Sequence, residues 1–181
     1  MNTPHTLTDR SVSIPQRQRA WQEQEAVNPT RGWTHTLVPG IAQTSAYTRG
    51  LLSARCSEPE LEEIVQGRLR RGQAVLDGGP QRRYVFSQSA LDMPWLSAGH
   101  RHEQLEHLAV VANLAHVQML VLPASTPVPH GPFMLLREWV YIEGPGGLNR
   151  LPQEVTAEYT ACFEALCAAA HPYALEHTPV T

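Results

Sequence analysis

Val117-Gln-Met-Leu-Val-Leu122 holds a single polar residue and stops at Pro123. A run this short is not a buried helix of ordinary length, and it falls far below the roughly 20 residues that cross a bilayer. Aliphatic side chains on both parities of a strand mean that both faces are covered, which suits a central strand. The fold therefore needs strands beside this one and helices over the sheet.

The rest of the chain supplies those layers. Residues 15–28 read as a polar, linker-type helix whose apolar content is only Ala20, Trp21, Ala26 and Val27. Asn28-Pro29-Thr30-Arg31-Gly32 breaks it. Gln43 to Leu52 predicts a short helix carrying Tyr47. Ser57 is a cap for the next helix, with Pro59 in its first turn. Leu61, Ile64, Val65, Leu69 and Leu76 then recur at helical spacing until Asp77-Gly78-Gly79-Pro80. Arg83-Tyr-Val-Phe-Ser87 is aromatic and β-branched, hence a strand. Residues 100–114 form a helix striped by Leu105, Leu108, Ala109 and Ala112. Phe133–Leu136 and Trp139–Ile142 are separated only by Arg137-Glu138, which demands a tight hairpin. Gly144-Pro145-Gly146-Gly147 ends the second of these strands. Val155, Tyr159, Cys162, Phe163 and Leu166 line a last helix, from about Pro152 to Ala170.

The expected architecture is α/β in the mixed α+β sense: about four strands, including a C-terminal hairpin, flanked by about five helices. The expected organisation is a disordered arm over 1–14, the linker-type helix over 15–28, one α/β domain over 29–172 and a frayed tail over 173–181.

Composition closes several functional classes. The chain has no lysine. A P-loop needs a lysine on the phosphates and Schiff-base chemistry needs a lysine amine, so neither is open to it. The formal net charge is −3, the opposite of what phosphate neutralisation asks for. No apolar signal core or spanning segment is visible, so a cytoplasmic protein is expected. Cys162 and Cys167 lie five apart, about 140° round a helix, and Cys56 stands alone; buried thiols are expected rather than disulfides or a zinc site.

A family likeness rests on several stretches in order. Trp33 is followed by Leu37-Val-Pro-Gly-Ile-Ala-Gln-Thr-Ser-Ala-Tyr47. Then come Arg68-Leu-Arg-Arg-Gly-Gln-Ala-Val-Leu76 and Gln104-Leu-Glu-His-Leu108, running on to Val117–Pro123. Gly131-Pro-Phe-Met-Leu-Leu136 and Trp139-Val-Tyr-Ile-Glu143 complete the set. From about Glu25 to Ala170 the sequence resembles the C-terminal regulatory domain of unknown function of actinobacterial XRE-type (Scr-type) antitoxin-like transcriptional regulators. That family often carries Glu where Gln88 stands. It also normally carries a helix-turn-helix, which residues 1–32 are too few to supply. The resemblance implies a regulatory domain that binds a partner or senses a ligand; the departure at the helix-turn-helix leads to the expectation that it does not contact DNA directly.

Several motifs that could form sites also have plainer roles. His100, His102, His107 and His116 cluster, but His102 and His107 are five apart rather than the four that places two zinc ligands on one helical face. No metal is expected. Ser87, His130 and Glu143 are possible catalytic groups with no signature joining them. Gly144–Gly147 lacks phosphate-loop spacing, and Pro145 removes an N–H. No cofactor is expected. Trp33, Gln43 and Tyr47 either line a pocket with Arg68 or Arg71, or serve as core plugs and internal hydrogen-bond partners. Trp21 is a further candidate contact, on the linker-type helix.

The function expected from all this is a non-enzymatic regulatory domain of an antitoxin-like transcription-control system. It acts by protein–protein binding, either to a full-length regulator or a small toxin-like protein, or by self-association. The alternative is a small-molecule sensor with its pocket near Trp33 and Tyr47, and a third reading is a hydrolase using Glu143 or His130.

Overall fold

A computed structural model of the protein describes residues 14–144 and 147–174. The elements in chain order are α1 (Ile14–Val27), β1 (Thr30–Thr34), α2 (Ser45–Leu52), α3 (Glu58–Leu76), β2 (Arg82–Ser87), α4 (Ala98–Ala112), β3 (Val117–Leu122), β4 (Phe133–Leu136), β5 (Trp139–Gly144), β6 (Gly147–Arg150), α5 (Thr156–Ala169) and β7 (His171–Pro172), with short 3₁₀ turns at Gly40–Ala42, Gln88–Leu91 and Gln153–Val155. Residues 1–13, expected as an arm, lie outside the described residues; Ile14 already belongs to α1.

The mixed α+β class holds, with five α-helices among the described residues, but the sheet there has seven strands rather than about four. Their order is β6-β5-β4-β1-β2-β3-β7. β1, β2 and β3 run parallel, joined by the crossovers α2–α3 and α4. β4, β5 and β6 form an antiparallel meander beside β1.

The three extra strands are β1, β6 and β7. Pro29 and Gly32 made β1 look like a break. In fact Gly32 sits mid-sheet: a Cβ there would stand 2.9 Å from the Tyr84 ring and collide with Met134 Sδ. Glycine here permits a close approach rather than ending a strand. The glycines read as the end of β5 include Gly144, its last residue, and Gly147, the first of β6, which pair with one another. β7 has two residues, too few to leave a pattern. β3 is covered on both faces as expected, yet it is not central: only β7 lies beyond it. An apolar run reports burial above and below a strand, not the number of strands beside it.

Helix starts follow local chemistry. Glu60 accepts from the Ser57 N–H at 3.1 Å and the Ser57 hydroxyl at 2.6 Å, which fixes the first turn of α3. Thr44 Oγ1 accepts from Tyr47 N at the start of α2, and Ser97 Oγ from His100 N at the start of α4.

The core divides across the sheet. On one face Tyr84, Phe86, Met119 and Val121 pack against Tyr47 of α2, Val75 of α3, and Leu105 and Leu108 of α4. On the other, Trp33, Val85, Leu120, Phe133 and Val140 meet Phe163 and Leu166 of α5. A third cluster joins Ala20 and Trp21 of α1 to Leu136 and Tyr141. Tyr173, placed in the expected frayed tail, is buried and donates its hydroxyl to the Leu105 carbonyl at 3.2 Å. Residues 175–181 lie outside the described residues. Among the described residues no helix is long and apolar enough to cross a membrane.

Candidate functional site

The segment after β1 runs through Pro39-Gly40 to α2 without regular structure of its own, so its backbone must find side-chain partners. The Val38 N–H donates to the Tyr47 hydroxyl at 3.1 Å, and the Val38 carbonyl accepts from Gln43 Nε2 at 2.7 Å. Gln43 Oε1 in turn accepts from Arg68 of α3. Gln104 of α4, fully buried, closes the far side: its Nε2 donates to the Ala42 carbonyl at 2.6 Å and its Oε1 accepts from Thr44 N at 2.8 Å. Burial pushes the Tyr47 phenol up to about 12, opposed by its hydrogen bond from Val38 and by the Arg68 charge. Tyr47 therefore stays protonated throughout the ordinary pH range.

This arrangement joins Gln43, Tyr47 and Arg68 but not the other named residues. Trp33 is on the opposite face of the sheet, 1% exposed, with its Nε1 donating to the His130 carbonyl at 3.3 Å. A pocket shared by Trp33 and Tyr47 is thus not formed, because alternate residues of β1 point to opposite faces. Arg71 turns to Glu25 of α1. Trp21 is spent inside the chain, edge-on to Tyr141 with ring centroids 5.4 Å apart. Gln104 was missed as a site residue. Its signal was a polar residue on the buried stripe, four before Leu108 and seven before Val111.

Two consequences can be measured. Tyr47→Phe is expected to lower stability by about 1–3 kcal/mol, because it orphans a buried N–H. Gln43→Ala is expected to lose a similar amount, since it strips the Val38 carbonyl of its partner. Urea midpoints check both, and an unchanged midpoint in either variant would refute the internal role of that side chain.

Beside this scaffold lies an open groove of about 700 Å³, bordered by Thr44, Ala46, Arg49 and Gly50 of α2 and its cap, by Trp95 and Leu96, and by His100 and Glu103 of α4. Trp95 is 38% exposed and rests edge-on against the buried Tyr47, centroids 5.7 Å apart. Two features aim it. Gly50 gives room, since a Cβ there would stand 3.0 Å from Trp95 Cδ1. Met93, two residues earlier and buried, has φ 41. A non-glycine residue in that region carries strain which the surrounding packing must hold. Arg49 faces the groove with its charge met by Glu58 and Glu62. Trp95 was not singled out in the sequence; an aromatic in a Pro-containing loop between a strand and a helix was the available clue.

The remaining candidates sit as follows. His102 pairs with Glu106 at 3.3 Å, and His116 Nε2 lies 2.9 Å from the Val75 carbonyl. Burial pushes His107 down. Among the described residues no three His, Cys, Asp or Glu side chains gather as a metal-binding group. Ser87 Oγ accepts from Ser89 N and from Ser89 Oγ at 3.0 Å. His130 Nε2 lies 3.2 Å from Glu158, and its ring stacks on Tyr159 at 4.6 Å. The Glu143 side chain and residues 145–146 are outside what is described.

A family profile described as "Domain of unknown function (DUF5753)" matches residues 16–174. No curated protein and no solved structure matches the chain. The matched span runs from the first turn of α1 past β7, and so takes in the scaffolded loop, the groove and the helix beneath which Arg71 and Glu25 meet. The chain belongs to the DUF5753 family.

Proposed function

We propose that this chain is a non-enzymatic regulatory domain of an antitoxin-like transcription-control system and that it acts by binding another protein. The observation that carries the reading is Trp95: a large aromatic side chain left 38% exposed on the wall of a groove, propped on a buried tyrosine by a loop with a strained residue. Exposed tryptophans held rigidly in this way are what protein interfaces use as anchors. Gln43, Tyr47, Arg68 and Gln104 support the same reading, because their hydrogen bonds go to the chain's own loop and give the groove a stiff floor. The partner would be a full-length regulator of the XRE type, a small toxin-like protein or a second copy, all in the cytoplasm. Direct DNA contact is not part of the proposal, in keeping with the net charge of −3.

Affinity capture from the source cells tests this with wild type and Trp95→Glu side by side. Wild type is expected to retain one protein at stoichiometric level. Trp95→Glu, with an unchanged circular dichroism spectrum, is expected to lose it by about 30-fold or more, the size of a hot-spot truncation. Equal retention by both, or no stoichiometric protein with wild type, overturns the proposal.

The second reading, a small-molecule sensor, is favoured by the size of the open groove, about 700 Å³, which falls in the range of ligand pockets. A thermal-shift screen separates the two, since a ligand raises Tm by mass action while a vacant protein-docking groove gives a flat response.

A further inference from the structure

Beneath α1 lies a set of donors arranged for a carboxylate. Arg71 of α3 meets Glu25 side-on, with Nε 2.9 Å from Oε2 and Nη2 3.0 Å from Oε1. Tyr84 of β2 donates its hydroxyl to Oε1 at 3.2 Å. Arg82, two residues before it on β2, donates to the Glu25 carbonyl at 3.2 Å and to the Pro80 carbonyl at 2.9 Å. The Arg82 Nε is buried and finds no acceptor among the described residues. Desolvation, reinforced by the Glu25 charge, holds the Tyr84 phenol well above its ordinary range and keeps it a donor. Arg71 and Tyr84 thus hold the Glu25 carboxylate while Arg82 holds the Glu25 backbone carbonyl, and two guanidiniums beside one carboxylate leave the cradle an excess of positive charge.

Every donor belongs to α3 or β2; only the carboxylate arrives with α1. The rest of α1 packs along α3 and against the β4–β5 edge. Its buried apolar residues, among those described, are Ala20 and Trp21. Its pair with α3, Arg19 to Glu63, is exposed and contributes little. A buried ion pair fixes register more than it adds net stability. The join to β1 is Asn28-Pro29, where Asn28 Oδ1 accepts from Arg137 Nε at 2.7 Å.

We propose that Arg71, Tyr84 and Arg82 form a carboxylate-binding site, that Glu25 occupies it as an internal stand-in, and that α1 is a strap displaced when an acidic helix of a partner protein takes Glu25's place. Lifting α1 also uncovers Leu136 and Tyr141, an apolar shelf on which such a helix would lie. This surface is separate from the Trp95 groove, so either idea can fail alone.

Amide exchange on the full chain tests the strap. The α1 amides are expected to exchange through an opening that leaves β1–β3 protected, and Glu25→Gln is expected to speed that exchange by about tenfold or more, the loss of a charge-assisted bond. Exchange of α1 only together with the sheet, or at an unchanged rate in Glu25→Gln, overturns it. The site itself is probed with a labelled peptide of residues 14–27 added to the full-length Glu25→Ala chain. The peptide of natural sequence is expected to bind about tenfold or more tighter than the same peptide with the Glu25→Gln substitution. Equal affinity, or no binding by either, overturns the carboxylate assignment. Should Glu25→Ala fail to fold, Glu25→Gln serves as the receiving chain with the same outcomes.

Discussion

Phe163→Ala is expected to cost about 3–5 kcal/mol, the upper range for a core truncation. For a chain of this size that lowers Tm by roughly 6–20 °C. The reason is asymmetry between the faces of the sheet. One face is covered by α2, α3 and α4 together, with α1 at its border. The other relies on α5 alone, through Phe163 and Leu166, both buried. Phe163 is fully buried, meets Phe133 edge-on with centroids 6.5 Å apart and lies under the Arg31 guanidinium. Among the described residues no second helix packs on this face to close over the void, so relaxation recovers little. Chemical denaturation of the variant checks this, and a loss below about 1.5 kcal/mol would mean that the face can collapse after all.

Arg71→Met comes next in size. It leaves the Glu25 carboxylate buried, at 4% exposure, without its main partner. Breaking a buried pair from one side costs about 3–5 kcal/mol, because the surviving charge has lost both water and counter-ion. Glu25 has an exit that most buried charges lack, namely the departure of α1 into solvent. The expected outcome is therefore local: α1 undocks, its amides lose protection, and the Trp21 emission shifts to the red while the sheet stays folded. The double variant Glu25→Leu/Arg71→Met is expected to recover most of the docking, since an apolar pair of similar volume commonly replaces a buried ion pair without loss. A double variant as open as the single would show that α1 is held by something other than this pair.

Much of the architecture was legible because it is written in periodicity and local chemistry. Leu61, Ile64 and Val65 with their Ser57 cap, the apolar run of β3, and the two-residue gap between β4 and β5 each have one good structural solution, although Leu69, counted on the same stripe, is exposed. What escaped was whatever depends on neighbours distant in sequence. β1 contains a glycine needed only because Tyr84 and Met134 press against it, and nothing local distinguishes that glycine from a loop residue. The site was legible in its parts but not in its assembly. Gln43, Tyr47 and Arg68 do converge, whereas Trp33 and Arg71 are carried elsewhere by the two-fold alternation of β1 and by the rotation of α3. Glu25 gave almost no sign, because a charged residue on a polar helix reads as solvated until its partners are known.

The two residues of β7 have a role out of proportion to their length. β3 is a largely apolar strand of six residues, and its outer rim would otherwise offer a row of free amides and carbonyls to any passing chain. His171-Pro172 lies along that rim, and the Tyr173 N–H goes to the Met119 carbonyl at 2.9 Å. Pro172 has no N–H to hand onward, so the hydrogen-bond ladder ends with it. The last few described residues act as a selvedge: they finish the fabric on the side where it would most readily be extended into a fibre.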